Sequence, residues 1–192
     1  MSRESIKEAA VKLFNRHGYE GTKMVQIAEE AGIRKQSLAY HFSSKKDLLK
    51  ELYREIVEEE IEFVRGYFGE DKAASWEGHL YGFLVEHKNR FLTSPNVHLM
   101  FVLSFTTPVE VHDFVIAEYR RYLTVLKEEL TALFTGAKVG TFPPEECMVT
   151  FMTMLDGLDV QLVYETRQAY EQTLAIVWKV FLAGIGHSVN GQ

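Results

Sequence analysis

Apolar residues recur along this chain at spacings of three and four, the period of one helix face, and almost nowhere in strict alternation. The pattern is most informative in residues 22–48. Met24, Ile27, Ala28 and Ala31 mark one face of a helix of about two turns, with Thr22 placed just ahead of it as an N-cap. Gly32 stands where a left-handed residue ends such a helix, and Ile33 can drop back onto a small core. From Arg34 onward, Leu38 and Phe42 lie four apart on one face, so Lys35, Gln36, Ser37, Tyr40 and His41 project elsewhere. Ser44 to Asp47 reads as a capping box opening a further helix. The first amides and dipole of that helix, with Lys45 and Lys46 beside them, make a site suited to a phosphate. Two short helices hinged at Ala31-Gly32-Ile33 form a helix-turn-helix whose outward side chains bind phosphates and bases. Double-stranded DNA is the first partner to consider.

The helical period persists to the end of the chain. Leu48, Leu49, Leu52, Ile56 and Phe63 predict one long helix running toward Gly66, with Glu58, Glu59, Glu60 and Glu62 near its far end. Further helices are predicted at about 74–92, 97–105, 109–134, 145–166 and 169–188. They are broken at Ser94-Pro95, at Thr107-Pro108, in the 136–144 loop and near Arg167. No strand pattern or internal repeat is present. The expectation is an all-α chain of about nine helices: a three-helix helix-turn-helix DNA-binding domain over residues 1–46, then a helical ligand-binding and dimerisation domain over 47–192.

Over roughly the first fifty positions the sequence resembles the tetracycline-repressor (TetR) family of bacterial transcription regulators. The resemblance runs through Phe14, His17-Gly18-Tyr19 and Gly21-Thr22, then Ile27-Ala28 and Ala31-Gly32-Ile33, then Ser37-Leu38, Tyr40-His41-Phe42, Lys45 and Leu48. It implies that Gln36, Ser37, Tyr40 and His41 lie on or beside the recognition helix, and that Thr22 and Lys45 meet backbone phosphates. Lys23, Arg34 and Lys35 complete the candidate DNA-binding set. Two positions depart from the family pattern: Arg34 replaces the usual Ser or Thr cap, and Gln36 replaces a small residue. Arg34 is a poor cap but can reach phosphate, and Gln36 can pair with adenine through N6 and N7. Ala39 stands where a tyrosine is common. The resemblance further implies a homodimeric repressor, released from operator DNA by a small molecule.

Charge supports that division of labour. The 192-residue chain carries a net charge of -6, unfavourable for a DNA binder taken whole. Residues 1–48, however, hold nine Lys or Arg against six Asp or Glu, and the remainder twelve against twenty-one. The positive surplus sits with the motif, where phosphate contacts supply salt-sensitive affinity. The single Cys147 excludes an internal disulfide, and its neighbours Met148, Val149 and Phe151 suggest packing. The chain opens on charged residues rather than a secretory apolar segment, and no apolar run approaches the roughly 20 residues that span a bilayer. A cytoplasmic location without a membrane partner is expected.

The last two helices are the candidate dimer interface, through Leu155, Gly157, Leu158, Leu162, Val177 and Phe181. Gly157 in mid-helix costs about 1 kcal/mol relative to Ala unless close helix approach compensates. The same residues would also serve as an intramolecular core. A small-molecule effector, apolar or aromatic, would sit among Phe83, His87, Phe101, Phe105, Tyr119, Tyr122 and Met152, with His87 and Tyr119 as polar handles. His79, His87, His98 and His112 lack the short spacings of a zinc site. Asp156 and Asp159 share a helix face, but no nucleophile motif, P-loop or dinucleotide fingerprint accompanies them. No catalysis, metal or cofactor is expected. Two alternatives stay open: an activator or global regulator on the same scaffold, and a ligand-binding protein with a weakened DNA module.

Overall fold

A computed structural model describes residues 2–69, 75–137, 139 and 142–186. Among them are nine α-helices and no strand. The helices are α1 (Arg3–Gly21), α2 (Met24–Glu30), α3 (Lys35–His41), α4 (Lys45–Gly69), α5 (Trp76–Thr93), α6 (Pro95–Phe105), α7 (His112–Ala137), α8 (Pro144–Tyr164) and α9 (Arg167–Gly186), with one 3-10 turn at Val109–Val111. The all-α expectation is met, and the differences lie at helix ends. Ser94-Pro95 starts α6 as well as ending α5. Ser94 Oγ accepts from the Val97 amide at 3.3 Å, and proline occupies the first turn, where its missing amide hydrogen leaves no gap. Thr166, expected inside the eighth helix, instead caps the ninth by accepting from the Ala169 amide at 3.2 Å. Position 74 and positions 187–188 of the expected helices, and positions 138, 140 and 141 of the expected loop, lie outside the described residues.

The chain packs as two compact units, residues to Glu60 with 90–122, and residues 61–89 with 123 onward. The first unit holds the whole 1–46 stretch and adds the start of α4, the end of α5, α6 and the first half of α7. Its core includes Ile6, Phe14, Ile27, Leu38, Leu49, Tyr53, Met100 and Phe101, with α1 packed on both α2 and α6. Leu99, Met100, Phe101 and Leu103 are buried, so the most apolar run of the sequence is core helix. No single helix among the described residues is long and apolar enough to cross a membrane.

Ion pairs tie α1 to α4 inside this unit. Lys7 is buried and its ammonium reaches both oxygens of Glu55 at 2.6 Å and Glu51 at 3.1 Å. Burial works against the charge, but the two carboxylates outweigh it and raise the Lys7 pKa.

The second unit is built on Val64, Leu80, Phe83, Leu84, Leu126, Phe134, Phe151, Leu155 and Leu158, with α8 packed against α9. It encloses a buried polar pair, His87 Nε2 with Asp159 Oδ1 at 2.6 Å, joining α5 to α8 across 72 positions of sequence. Phe83 lies 5.9 Å from the His87 ring and 5.0 Å from Phe68.

Candidate nucleic-acid interface

The helix-turn-helix is fixed by backbone chemistry that its sequence dictates. At the end of α2 the Ile33 amide bonds the Ala28 carbonyl at 2.9 Å and the Gly32 amide bonds Glu29 at 3.0 Å, the paired bonds of a Schellman ending. Gly32 carries φ 68°, a conformation that costs an L side chain energy. A second left-handed glycine, Gly18 at φ 69°, breaks α1 before its last turn.

The turn delivers α3 with Leu38 and Phe42 buried beneath it. Arg34, Lys35, Gln36, Ser37, Ala39 and Tyr40 are exposed, and Tyr40 is 88% exposed, far beyond what a tyrosine kept for packing would show. His41 is half-buried, its ring edge-on to Tyr40 at 5.5 Å. Arg34 occupies the N-cap position of α3 without a side-chain capping bond, leaving its guanidinium outside the helix. Lys23 is exposed at the start of α2, where its amide donates to Gln26 Oε1 at 2.7 Å.

Two expected phosphate contacts are corrected. Thr22 is 1% exposed, and its hydroxyl faces the Gly18 carbonyl at 2.8 Å and the Leu13 carbonyl at 3.2 Å. It closes α1 instead of capping α2, and Lys23 takes the N-cap position. Lys45 turns inward too: its ammonium donates to the Tyr19 carbonyl at 2.6 Å and the Thr22 carbonyl at 3.0 Å, 4.0 Å above the Tyr19 ring. The cation that looked free in sequence fastens the first turn of α4 to the end of α1.

The Ser44 cap of α4 forms, one half of the expected capping box. Ser44 Oγ accepts from the Asp47 amide at 3.0 Å and donates to the Asp47 carboxylate at 2.8 Å, and Ser43 bonds the same oxygen. The two hydroxyls hold the Asp47 carboxyl below its ordinary pKa. A fixed carboxylate therefore already sits at the α4 N-terminus expected to welcome a phosphate. Sequence reading also missed Arg3, which donates to the His41 carbonyl at 2.8 Å, pairs with Glu51 and lies 4.3 Å from the Phe42 ring centre. Its partners are 38 and 48 positions away, beyond any local signal.

The other candidates divide differently from expectation. Of the effector set, Phe101, Phe105, Tyr119 and Tyr122 belong to the first unit and Phe83, His87 and Met152 to the second. Phe83, His87, Phe101, Tyr122 and Met152 are buried, Tyr119 is half-buried and Phe105 is exposed. None of the seven lines the three cavities described here. Of the dimer set, Leu155, Leu158 and Phe181 are buried inside their own unit, a correction, since a residue covered within its own chain has no face left for a partner. Leu162 and Val177 are half-buried and Gly157 is exposed. Val149, Val160, Val163 and Tyr164 on α8 and Ile176 and Val180 on α9 are the exposed large apolar side chains of these two helices. Of the carboxylate pair, Asp159 turns inward to His87 while Asp156 stays exposed.

Residues 6–52 match the family model described as bacterial regulatory proteins, tetR family. The transcriptional regulator LmrA of Bacillus subtilis is 45% identical over 64 residues, 33% of this chain and 32% of that protein. IcaR of Staphylococcus aureus, a negative regulator of the biofilm operon icaADBC, is 41% identical over 49 residues, 26% of each chain. The matched segments thus span a third or less of these curated relatives. Likeness of fold extends further. FadR of Bacillus subtilis, solved with stearoyl-CoA, gives a TM-score of 0.73 at 17% identity, covering 96% of this chain and 100% of that one. A TetR-family regulator from Agrobacterium tumefaciens gives 0.74 at 20%, covering 96% and 97%.

Proposed function

Because the chain belongs to the tetR family of bacterial regulatory proteins, we propose that it is a homodimeric transcriptional repressor that binds operator DNA through α3 and leaves it when a small apolar or aromatic effector binds. One observation carries the reading: α3 is anchored by buried Leu38 and Phe42 and presents Arg34, Lys35, Gln36, Ser37 and Tyr40 outward, their side chains in no hydrogen bond or ion pair among the described residues. Those five have the chemistry of a groove reader. Lys35 and Arg34 meet phosphates, Gln36 offers paired donor and acceptor to adenine, and Tyr40 supplies a ring and a hydroxyl at the edge of the helix. His41 and Lys23 flank the contact.

Dimerisation supports this reading physically, since two recognition helices reach successive major grooves only when held roughly 34 Å apart. The exposed side chains of α8 and α9 supply the surface. Val149, Val160 and Tyr164 lie along one side of α8, Ile176 and Val180 along one side of α9, and Gly157 is exposed with open space over its Cα. The glycine's helix cost finds no return within its own chain and finds one if a partner helix approaches there. The effector acts through unequal affinity for the bound and released states, and a hundredfold change in DNA affinity needs about 2.7 kcal/mol of that coupling.

The test is titration of the full chain against duplex DNA from upstream of its own gene, read by fluorescence anisotropy. Specific binding that weakens steeply with salt, and falls for Lys35→Ala and Tyr40→Ala while the fold persists, is the expected result. Binding unchanged in both variants removes α3 as the reader.

A further inference from the structure

Helix α3 is short, and its two ends are held by different means. Leu38 is the buried residue within it, so the helix has a small apolar footing of its own. At its start the backbone turn around Gly32 sets its direction. At its end the chain leaves in an extended conformation at Phe42, φ -137° and ψ 120°, with no glycine to fold back over the last carbonyls. Carbonyls at such an end lack intrahelical partners and carry the negative pole of the helix dipole.

The missing support comes from α1. Arg3 donates through Nη1 to the His41 carbonyl at 2.8 Å, and its guanidinium lies 4.3 Å from the ring centre of buried Phe42. The same side chain is tethered on its other edge: Nε donates to Glu51 Oε1 at 3.2 Å and Nη2 pairs with Oε2, the two-point grip a planar guanidinium gives a carboxylate. Glu51 is itself held by Lys7 at 3.1 Å. Burial works against charge on Glu51, but the bonds from Arg3 and Lys7 outweigh it and lower its pKa. Arg3 is thus stretched between α4 and the last turn of α3, with Nε, Nη1 and Nη2 all engaged.

We propose that Arg3, braced by Glu51, is a positioning residue for DNA reading: it fixes the last turn of α3 and so aims Tyr40 and His41. The inference rests on the reading of α3 as the DNA-contacting helix. A direct phosphate contact by Arg3 makes the opposite predictions, because Glu51 would then only repel the DNA.

The test follows binding of the full chain to the duplex from upstream of its own gene, and by competition to poly(dI-dC), with fluorescence anisotropy over a range of salt. Arg3→Ala should weaken the specific duplex about fivefold. Glu51→Ala removes a negative charge and should nevertheless weaken it, about twofold. The double variant Arg3→Ala, Glu51→Ala leaves the net charge unchanged and should bind as weakly as Arg3→Ala alone. The slope of log affinity against log salt should not change, and Arg3→Lys should recover part of the loss. Neither side chain is fully buried, so the fold is retained. Tighter binding by Glu51→Ala, full affinity in the double variant, or a salt slope reduced by about one in Arg3→Ala would make Arg3 a phosphate contact and overturn the proposal. Amide shifts of the free ¹⁵N-labelled chain separate the clamp from the reading it rests on. Arg3→Ala should move residues 39–43 without DNA, and unmoved amides there would overturn the clamp. Equal affinity of the unaltered chain for both DNAs would overturn the reading of α3, and with it the role of Arg3 in aiming that helix.

Discussion

Helices α3 and α8 are both amphipathic by spacing, yet only α3 wears its inner face plainly. In α3 two apolar residues, Leu38 and Phe42, stand against polar neighbours, and both are buried. Helix α8 is apolar on most sides: Leu155 and Leu158 are buried, while Val149 and Val160 are exposed. A helix with one apolar stripe announces its inside. A helix with two announces that a second covering exists and leaves the choice of stripe to the rest of the fold.

The largest effect that would break this comparison is at the outer stripe. The double variant Ile176→Glu, Val180→Glu places charges on side chains that are 64% and 65% exposed, so the protomer should fold as before. Sedimentation should then show monomer, and DNA affinity should fall by more than about a hundredfold as the second half-site is lost, equivalent to about 2.7 kcal/mol. A dimer that survives would place the interface elsewhere. Next in size is the inner stripe, where Leu155→Ala should lower unfolding free energy by about 2–5 kcal/mol in urea denaturation. Val160→Ala should change it by no more than about 0.5 kcal/mol under conditions that keep the chain monomeric. Equal costs would erase the distinction between the two faces.

On α3 the expected changes are smaller and touch binding alone. Tyr40→Ala should weaken operator binding about tenfold, near 1.4 kcal/mol, with the melting temperature unchanged. A melting temperature that drops with affinity would return Tyr40 to a packing role. The smallest effect concerns the cap behind it. Ser44→Ala should cost about 1 kcal/mol of stability. Because the Ser43 and Ser44 hydroxyls depress the Asp47 pKa, that carboxylate stabilises the fold above the ordinary carboxylate range and loses its contribution as pH falls through the lowered value. Removing both hydroxyls should flatten the acid limb of the stability profile, and an unaltered limb would separate Asp47 from acid sensitivity.

The same contrast explains what could be read from residues in order. The Gly32 ending, the Ser44 cap and the burial of Leu38 depend on atoms within a few positions of each other, so local rules reach them. Lys45 and Thr22 had the right chemistry for phosphate but not the right direction. Direction is set by the carbonyls at the end of α1, more than twenty positions before Lys45. Arg3 with Glu51, and His87 with Asp159, are pairs that only the folded chain brings together. Residue type alone does not separate a ring that packs from a ring that lines a cavity, so Phe83, Phe101 and Tyr122 read alike in sequence.

The claim that α3 reads DNA as half of a two-fold pair is tested most directly by selecting bound duplexes from a random pool with the full chain and determining the enriched sequence. The account predicts an inverted repeat with half-site centres about one helical turn apart, and loss of enrichment with Tyr40→Ala. An enriched site without two-fold symmetry, or an identical enrichment with Tyr40→Ala, would contradict it.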